Sequence, residues 1–222
     1  MTYELYWISG SPNAWRAKFT LEYKGLSYVS HRLDPGKKEH KTPEMMALNP
    51  RGKVPVLKDG DVVIYESIAI MAYLESKHPQ PPLFGDSPQA TGQIWQRLFE
   101  VMNYVREPIE DGVVRPLIRG QADQSGDQIK AAATDVHQAM NWLESLLTEA
   151  PYLAGDTPTA VDICTMPIIQ GLIRAGRGAD AVKLNLGLDG FKETYGNVDA
   201  WLVRIEGLPG YENAYPPHWR EP

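Results

Sequence analysis

The sequence predicts an α/β domain of βαβ-ββα order followed by an all-α domain. Three observations predict it. Strand and helix patterns alternate over the first 80 or so residues, a proline-rich break follows, and every later segment is long and helical in period.

The first strand is "YELYWIS" (3–9), in which aromatic and aliphatic residues alternate. "PNAWRAKFTLEYKG" (12–25) is a helix with apolar residues at Ala14, Trp15, Ala17, Phe19 and Leu21 and a stop at Gly25. "LSYVSHRLD" (26–34) is a second strand, so the opening is a βαβ unit. In "TPEMMALNP" (42–50) Thr42 caps a short helix, Pro43 fits its first turn and Asn49-Pro50 ends it. "KVPVLKDGDVVIYES" (53–67) is a hairpin with Asp59-Gly60 as its turn pair. "SIAIMAYLESKH" (67–78) is an amphipathic helix. "HPQPPLFGDSP" (78–88) carries four prolines and a glycine, which no helix crosses.

The helical half holds four long segments. They are 90–110, bent or ended near Pro108, then 127–150, then 159–176, interrupted or bent near Pro167, and 197–210. Within "LAGDTPTAVDI", Thr159 stands three residues before Asp162, the spacing of a capping box. The expected boundaries are therefore 1–80, a linker 81–88, and a helical domain 89–222.

Composition narrows the function. The chain has 222 residues, 43% of them hydrophobic, and a net charge of −6. That charge argues against a dedicated nucleic-acid binder, which would carry a basic face. One cysteine, Cys164, rules out an internal disulfide and a four-cysteine zinc site, and its place in a helical apolar run fits packing. Five scattered histidines offer no i, i+4 ligand pair, so no metal is expected. The first residues lack the basic-then-apolar pattern of a signal peptide, and no apolar run approaches the length of a membrane span. A soluble cytoplasmic protein is expected.

Two serines, a glycine and a proline crowd ahead of the first helix in "SGSPNAWR". Ser11-Pro12 fits an N-cap followed by a first-turn proline. A capping hydroxyl uses only a lone pair, so its proton remains available to a ligand.

Together, "SPNAWRAKFTLEYKGLSY", "LNPRGKVPVL", "YESIAIMAYLE" and "YLAGDTPTAVDI" resemble the glutathione transferase family over nearly the whole chain. The resemblance implies a thioredoxin-like N-terminal domain, an all-helical C-terminal domain and a homodimer. It implies glutathione as cosubstrate and a hydrophobic electrophile as acceptor; charge and the lack of a span-length apolar run predict no nucleic-acid or membrane partner. The first motif is similar to the serine-type theta and zeta classes, in which a serine near the first helix assists the glutathione thiol. The Ser-Ser-Cys run that precedes Trp-Arg in zeta proteins is replaced here by Ser11-Pro12-Asn13, which disfavours maleylacetoacetate isomerase. No cysteine stands in that loop, which argues against omega and beta types.

The resemblance implies a site residue by residue. Ser11 assists the thiol, with Ser9 and Asn13 as rivals and Tyr6 in reserve. Glu66 and Ser67 meet the γ-glutamyl end, since helix N-termini accept carboxylates. Val54 and Pro55 match a cis-proline that turns the Val54 backbone toward the cysteinyl unit. Lys53 and His40 lie near the glycyl carboxylate. Val101, Tyr104 and Val105 on the first long helix of the second domain line the second-substrate pocket, with Arg106 and Arg115 open to an acidic substrate. Arg16 and Trp15 are expected to be structural. Conjugation is the reading that results; a non-catalytic glutathione-binding relative, an isomerase, a dehalogenase and an etherase are the alternatives.

Overall fold

A computed structural model describes residues 2–220. The chain forms two compact units, one up to Leu83 and again from Glu206 onward, the other from Phe84 to Ile205.

The first unit is built on a four-stranded sheet. Its elements run β1 (Tyr3–Trp7), α1 (Pro12–Tyr23), β2 (Tyr28–Arg32), α2 (Pro43–Leu48), β3 (Val56–Asp59), β4 (Val62–Tyr65) and α3 (Ser67–Lys77). The strand order is β2-β1-β3-β4; β1 and β2 are parallel and the other pairs antiparallel. Alternation in β1 buries Tyr3, Leu5 and Trp7 against Ala14, Ala17 and Leu21 of α1 and Ile70 and Leu74 of α3. Glu4 and Tyr6 alternate with them and so occupy the other face, where Glu4 pairs with Lys58 and His31 at 2.9 Å each.

The hairpin turn differs by one residue from the sequence reading. Asp59 pairs with Val62, so the two loop residues are Gly60 and Asp61. Gly60 takes φ 62°, a conformation that glycine adopts without steric cost, and it occupies the first loop position. Asp59 is held in register instead, by the Tyr73 hydroxyl at 2.6 Å and by Lys77.

The expected boundary at 80/81 moves to 83/84, and the reason lies in Lys24. Its buried ammonium donates to the carbonyls of His78 (2.8 Å) and Pro81 (2.7 Å) and lies 2.7 Å from Glu75, while the Leu83 N–H donates to Glu75 at 2.9 Å. The proline-rich segment is thus tied to the first unit.

The expectation that 89–222 forms one helical domain also needs correction. The segment from Glu206, including α11 (Tyr211–Ala214), packs on α1. Trp15 is the anchor: its ring contacts Tyr211, Tyr215 and Trp219, with centroids 6.2, 5.4 and 5.5 Å away. Burying three aromatic rings on one indole outweighs chain continuity with the helical unit.

The second unit opens with α4 (Pro88–Glu100), capped by Ser87, which accepts from the Ala90 N–H at 3.2 Å. The path does not end at Pro108. It continues through wider turns over Val101–Val105 and Glu107–Val114 into a last turn, α5 (Arg115–Ile118). There the Arg106 N–H reaches back to Val101 and the Arg115 N–H to Glu110, five residues each. The wider pitch accommodates a residue without an N–H. Next come α6 (Ala122–Glu149), irregular at Ser125, and α7 (Ala160–Gly176), one element that contains Pro167. α8 (Ala179–Lys183), α9 (Phe191–Thr194) and α10 (Gly196–Glu206) follow.

The capping box forms. Thr159 accepts from the Val161 N–H at 3.2 Å, and Asp162 accepts from the Thr159 N–H at 2.8 Å. Asp162 also receives the Leu153 N–H and the Trp201 indole N–H, both at 2.9 Å. Burial pushes its carboxyl pKa up against these donors. One carboxylate thus joins the start of α7 to a neighbouring turn and to α10. Cys164, one turn on, is fully buried.

Candidate active site

Sheet register gathers the candidate residues of the first unit at one end. Tyr6 pairs with Val56, and Val56 with Tyr65. Continuing each strand beyond those pairs carries Ser9–Ser11 after β1, Val54–Pro55 before β3 and Glu66–Ser67 after β4 to the same edge. Parallel pairing of Trp7 with Arg32 brings the end of β2 there too.

Ser11 is the N-cap of α1. Its hydroxyl oxygen accepts from the Ala14 N–H at 3.3 Å, and Pro12 occupies the first turn. A capping oxygen faces the partial positive charge of the helix terminus, so an anion there is favoured. Ser9 is differently engaged: its Oγ lies 2.6 Å from Nδ1 of His218. Asn13 is exposed and accepts from Arg16 at 2.6 Å through Oδ1, which leaves its amide N–H groups as the donors on offer. Tyr6 lies on the sheet face that carries Glu4 and donates to it at 3.2 Å. Burial, then the Glu4 charge, pushes the Tyr6 pKa up, and its proton is already donated to Glu4.

The Val54–Pro55 peptide is cis. The loop before it is shaped by Asn49, a buried residue expected only to end a helix. Its amide donates to the Lys53 carbonyl at 2.9 Å, and its Oδ1 accepts from the Arg51 N–H at 3.1 Å. The signal was present in the sequence: asparagine side chains mimic backbone groups in turns. Lys53 is exposed, and His40 is half-buried with Nδ1 enclosed and unpartnered among the described residues.

Glu66 has φ 72° and ψ 114°. A non-glycine residue at positive φ is strained, and such strain concentrates where a backbone or side chain must face a ligand. Glu66, not Ser67, is the N-cap position of α3, and it makes no side-chain cap bond. Ser67 is therefore the first helical residue, and it is buried. Its hydroxyl and the first N–H groups of α3 make an acceptor-seeking cluster.

The three residues expected in a second-substrate pocket separate. Val101 and Val105 are fully buried in the second unit, whereas Tyr104 is 69% exposed. Tyr104 lines a groove of about 780 Å³ with Glu100, Glu107, Asp135 and Trp142. Arg106 and Arg115 both pair with Glu110, at 3.4 and 3.0 Å, so each already meets a carboxylate within the unit. Among the described residues no cluster of three His, Cys, Asp or Glu could hold a metal, and no helix is long and apolar enough to cross a membrane.

Comparison with known proteins identifies the family. The model of the "Glutathione S-transferase, N-terminal domain" matches residues 5–82, and that of the "Glutathione S-transferase, C-terminal domain" matches 126–204. Glutathione S-transferase 1 of Dianthus caryophyllus is 34% identical over 92% of this chain and 92% of its own. Glutathione S-transferase A of Pleuronectes platessa is 29% identical over 98% of this chain and 92% of its own. The crystal structure of a glutathione S-transferase from the Antarctic clam Laternula elliptica superposes with a TM-score of 0.83 at 30% identity, covering 100% of this chain and 95% of that one. With both domain models matched in order on a sheet and a helical unit of the expected kinds, the chain belongs to the glutathione S-transferase family.

Proposed function

We propose that this glutathione transferase activates the thiol of glutathione with the Ser11 hydroxyl and joins the sulfur to a hydrophobic electrophile. The observation that carries the assignment is the contrast between the two serines. Ser11 gives a lone pair to the Ala14 N–H and keeps its proton to donate, while the Ser9 hydroxyl is held against His218. A free thiol has a pKa of about 8.5, and lowering it by two units takes about 2.7 kcal/mol. One hydrogen bond to the charged sulfur supplies about 1.5–3 kcal/mol. The helix terminus adds about 0.3–1 kcal/mol. No general base is needed.

The remaining residues divide the tripeptide among them. Glu66 takes the ammonium. Ser67 and the N–H groups of α3 take the γ-glutamyl carboxylate. The Val54 backbone pairs with the cysteinyl unit, and Lys53 and His40 hold the glycyl carboxylate. Asn13 is the reserve donor at sulfur. We propose a cytoplasmic, detoxifying role and a homodimer; exposed Phe99 and Tyr104 in the second unit support a covered surface. A monomer mass in light scattering at micromolar concentration would reject the dimer.

The thiolate absorbance of the glutathione complex tests the assignment. Ser11→Ala should raise its pH midpoint by more than about one unit, and Ser9→Ala should leave it nearly fixed. An unchanged midpoint in Ser11→Ala would move the donor role to Ser9 or Asn13.

A further inference from the structure

The first unit holds a cleft of about 470 Å³ lined by Ser9, Arg32, Leu33, Asp34, Pro35 and His218. It lies at the sheet end that gathers the candidate catalytic loop, because Trp7 pairs with Arg32 and the Leu33 N–H donates to the Trp7 carbonyl at 2.8 Å. We infer that this cleft binds the acceptor substrate and that it selects acceptors carrying a carboxylate, through Arg32. The inference rests on the transferase reading above and deepens it.

Charge in the cleft is unbalanced. The Arg32 guanidinium has no carboxylate within ion-pair distance among the described residues; it lies 6.0 Å from the centroid of the Trp7 ring. Asp34, the acidic member of the lining, is turned to its own loop. Its Oδ1 accepts from the Gly36 N–H at 2.8 Å and the Lys37 N–H at 3.4 Å, and its Oδ2 lies 3.9 Å from the Lys37 ammonium. A second cation lies near the same ring: Lys18 Nζ sits 4.3 Å from the ring centroid and donates to the neutral Asn213 carbonyl at 2.6 Å. Burial pulls its pKa down; the Glu22 carboxylate opposes this, and the smaller effects of Arg32 and Arg220 add to the lowering.

Shape supports the same reading. His218 closes the cleft from the C-terminal segment and is held by Ser9. Trp219, its neighbour, is pinned on Trp15. The wall is therefore held by the Ser9 contact and by its packed neighbour, and an acceptor entering beside it lies next to the loop that carries Ser11. Arg32 is suited to the task because a planar guanidinium engages a carboxylate through two parallel bonds.

Calorimetry without glutathione tests this with two probes of equal shape, 4-chloro-3-nitrobenzoate and 4-chloro-3-nitrobenzamide. The wild-type chain should bind the benzoate at least about fivefold more tightly. Arg32→Gln should abolish that preference and leave glutathione affinity and the melting temperature unchanged. Arg32→Lys should keep part of it. Equal affinity of the two probes for wild type, or no binding of either up to about 10 mM, overturns the inference, as does a preference that survives Arg32→Gln. Loss of turnover or of glutathione binding with the benzoate preference intact would instead count against the transferase reading.

Discussion

Ser9 and His218, 209 residues apart, meet at 2.6 Å between Oγ and Nδ1. The contact is possible because Gly10 stands between the serine and the cap of α1. A methyl group there would lie 2.9 Å from His218 Cε1, and Gly10 itself takes φ 80°. Gly10→Ala should therefore destabilise the fold through two separable effects, a backbone one and a steric one. We expect a loss of about 1–3 kcal/mol. Adding His218→Ala should recover the steric part and leave the backbone part. Denaturant titration of the two single variants and the double variant measures the coupling, and strict additivity would show that the imidazole does not oppose the methyl.

Glu66 holds a positive φ that glycine would adopt freely. Glu66→Gly should leave stability unchanged or raise it by up to about 1 kcal/mol. On the proposed assignment the same change should weaken glutathione about tenfold, because the ligand ammonium would lose its carboxylate partner. Glu66→Ala should lose affinity without that stability gain. Thermal melting and calorimetry on the two variants separate strain from binding; a fall in stability for glycine larger than for alanine would contradict the strain argument.

Asp59 supplies a pH dependence. The Lys77 ammonium, and then the Tyr73 hydroxyl, hold its carboxyl below the usual carboxylate range in the folded chain. A depressed folded pKa means that the unfolded chain binds the proton more readily as the medium is acidified. The stabilisation is thus present above the ordinary aspartate value of about 4 and is lost as pH falls through the folded value. Asp59→Asn should lower the melting temperature near neutral pH, and the gap to wild type should close in acid. A gap that stays constant across the range would assign the effect to packing alone.

Features that depend on neighbours along the chain are legible before folding. Alternation placed β1, two apolar runs placed the hairpin strands, and side-chain chemistry placed the caps at Ser11, Thr42 and Thr159. These are local rules, each closed within four residues or so, and they held. The pattern of motifs also carried the family. Features that depend on distant partners emerge only in the folded chain. Pairing, not composition, set the turn at Gly60-Asp61. The passage through Pro108 depends on wide turns whose N–H groups reach five residues back, a spacing that periodicity at 3.6 does not reveal. Lys24 and Trp15 each gather segments remote in sequence, and so move the unit boundary to Leu83 and bring the chain from Glu206 back to α1. The cleft beside Arg32 exists only after that return, because its wall is His218. No window of sequence near Ser9 contains that residue; burial of aromatic surface on Trp15, an energy summed over the folded chain, puts it there.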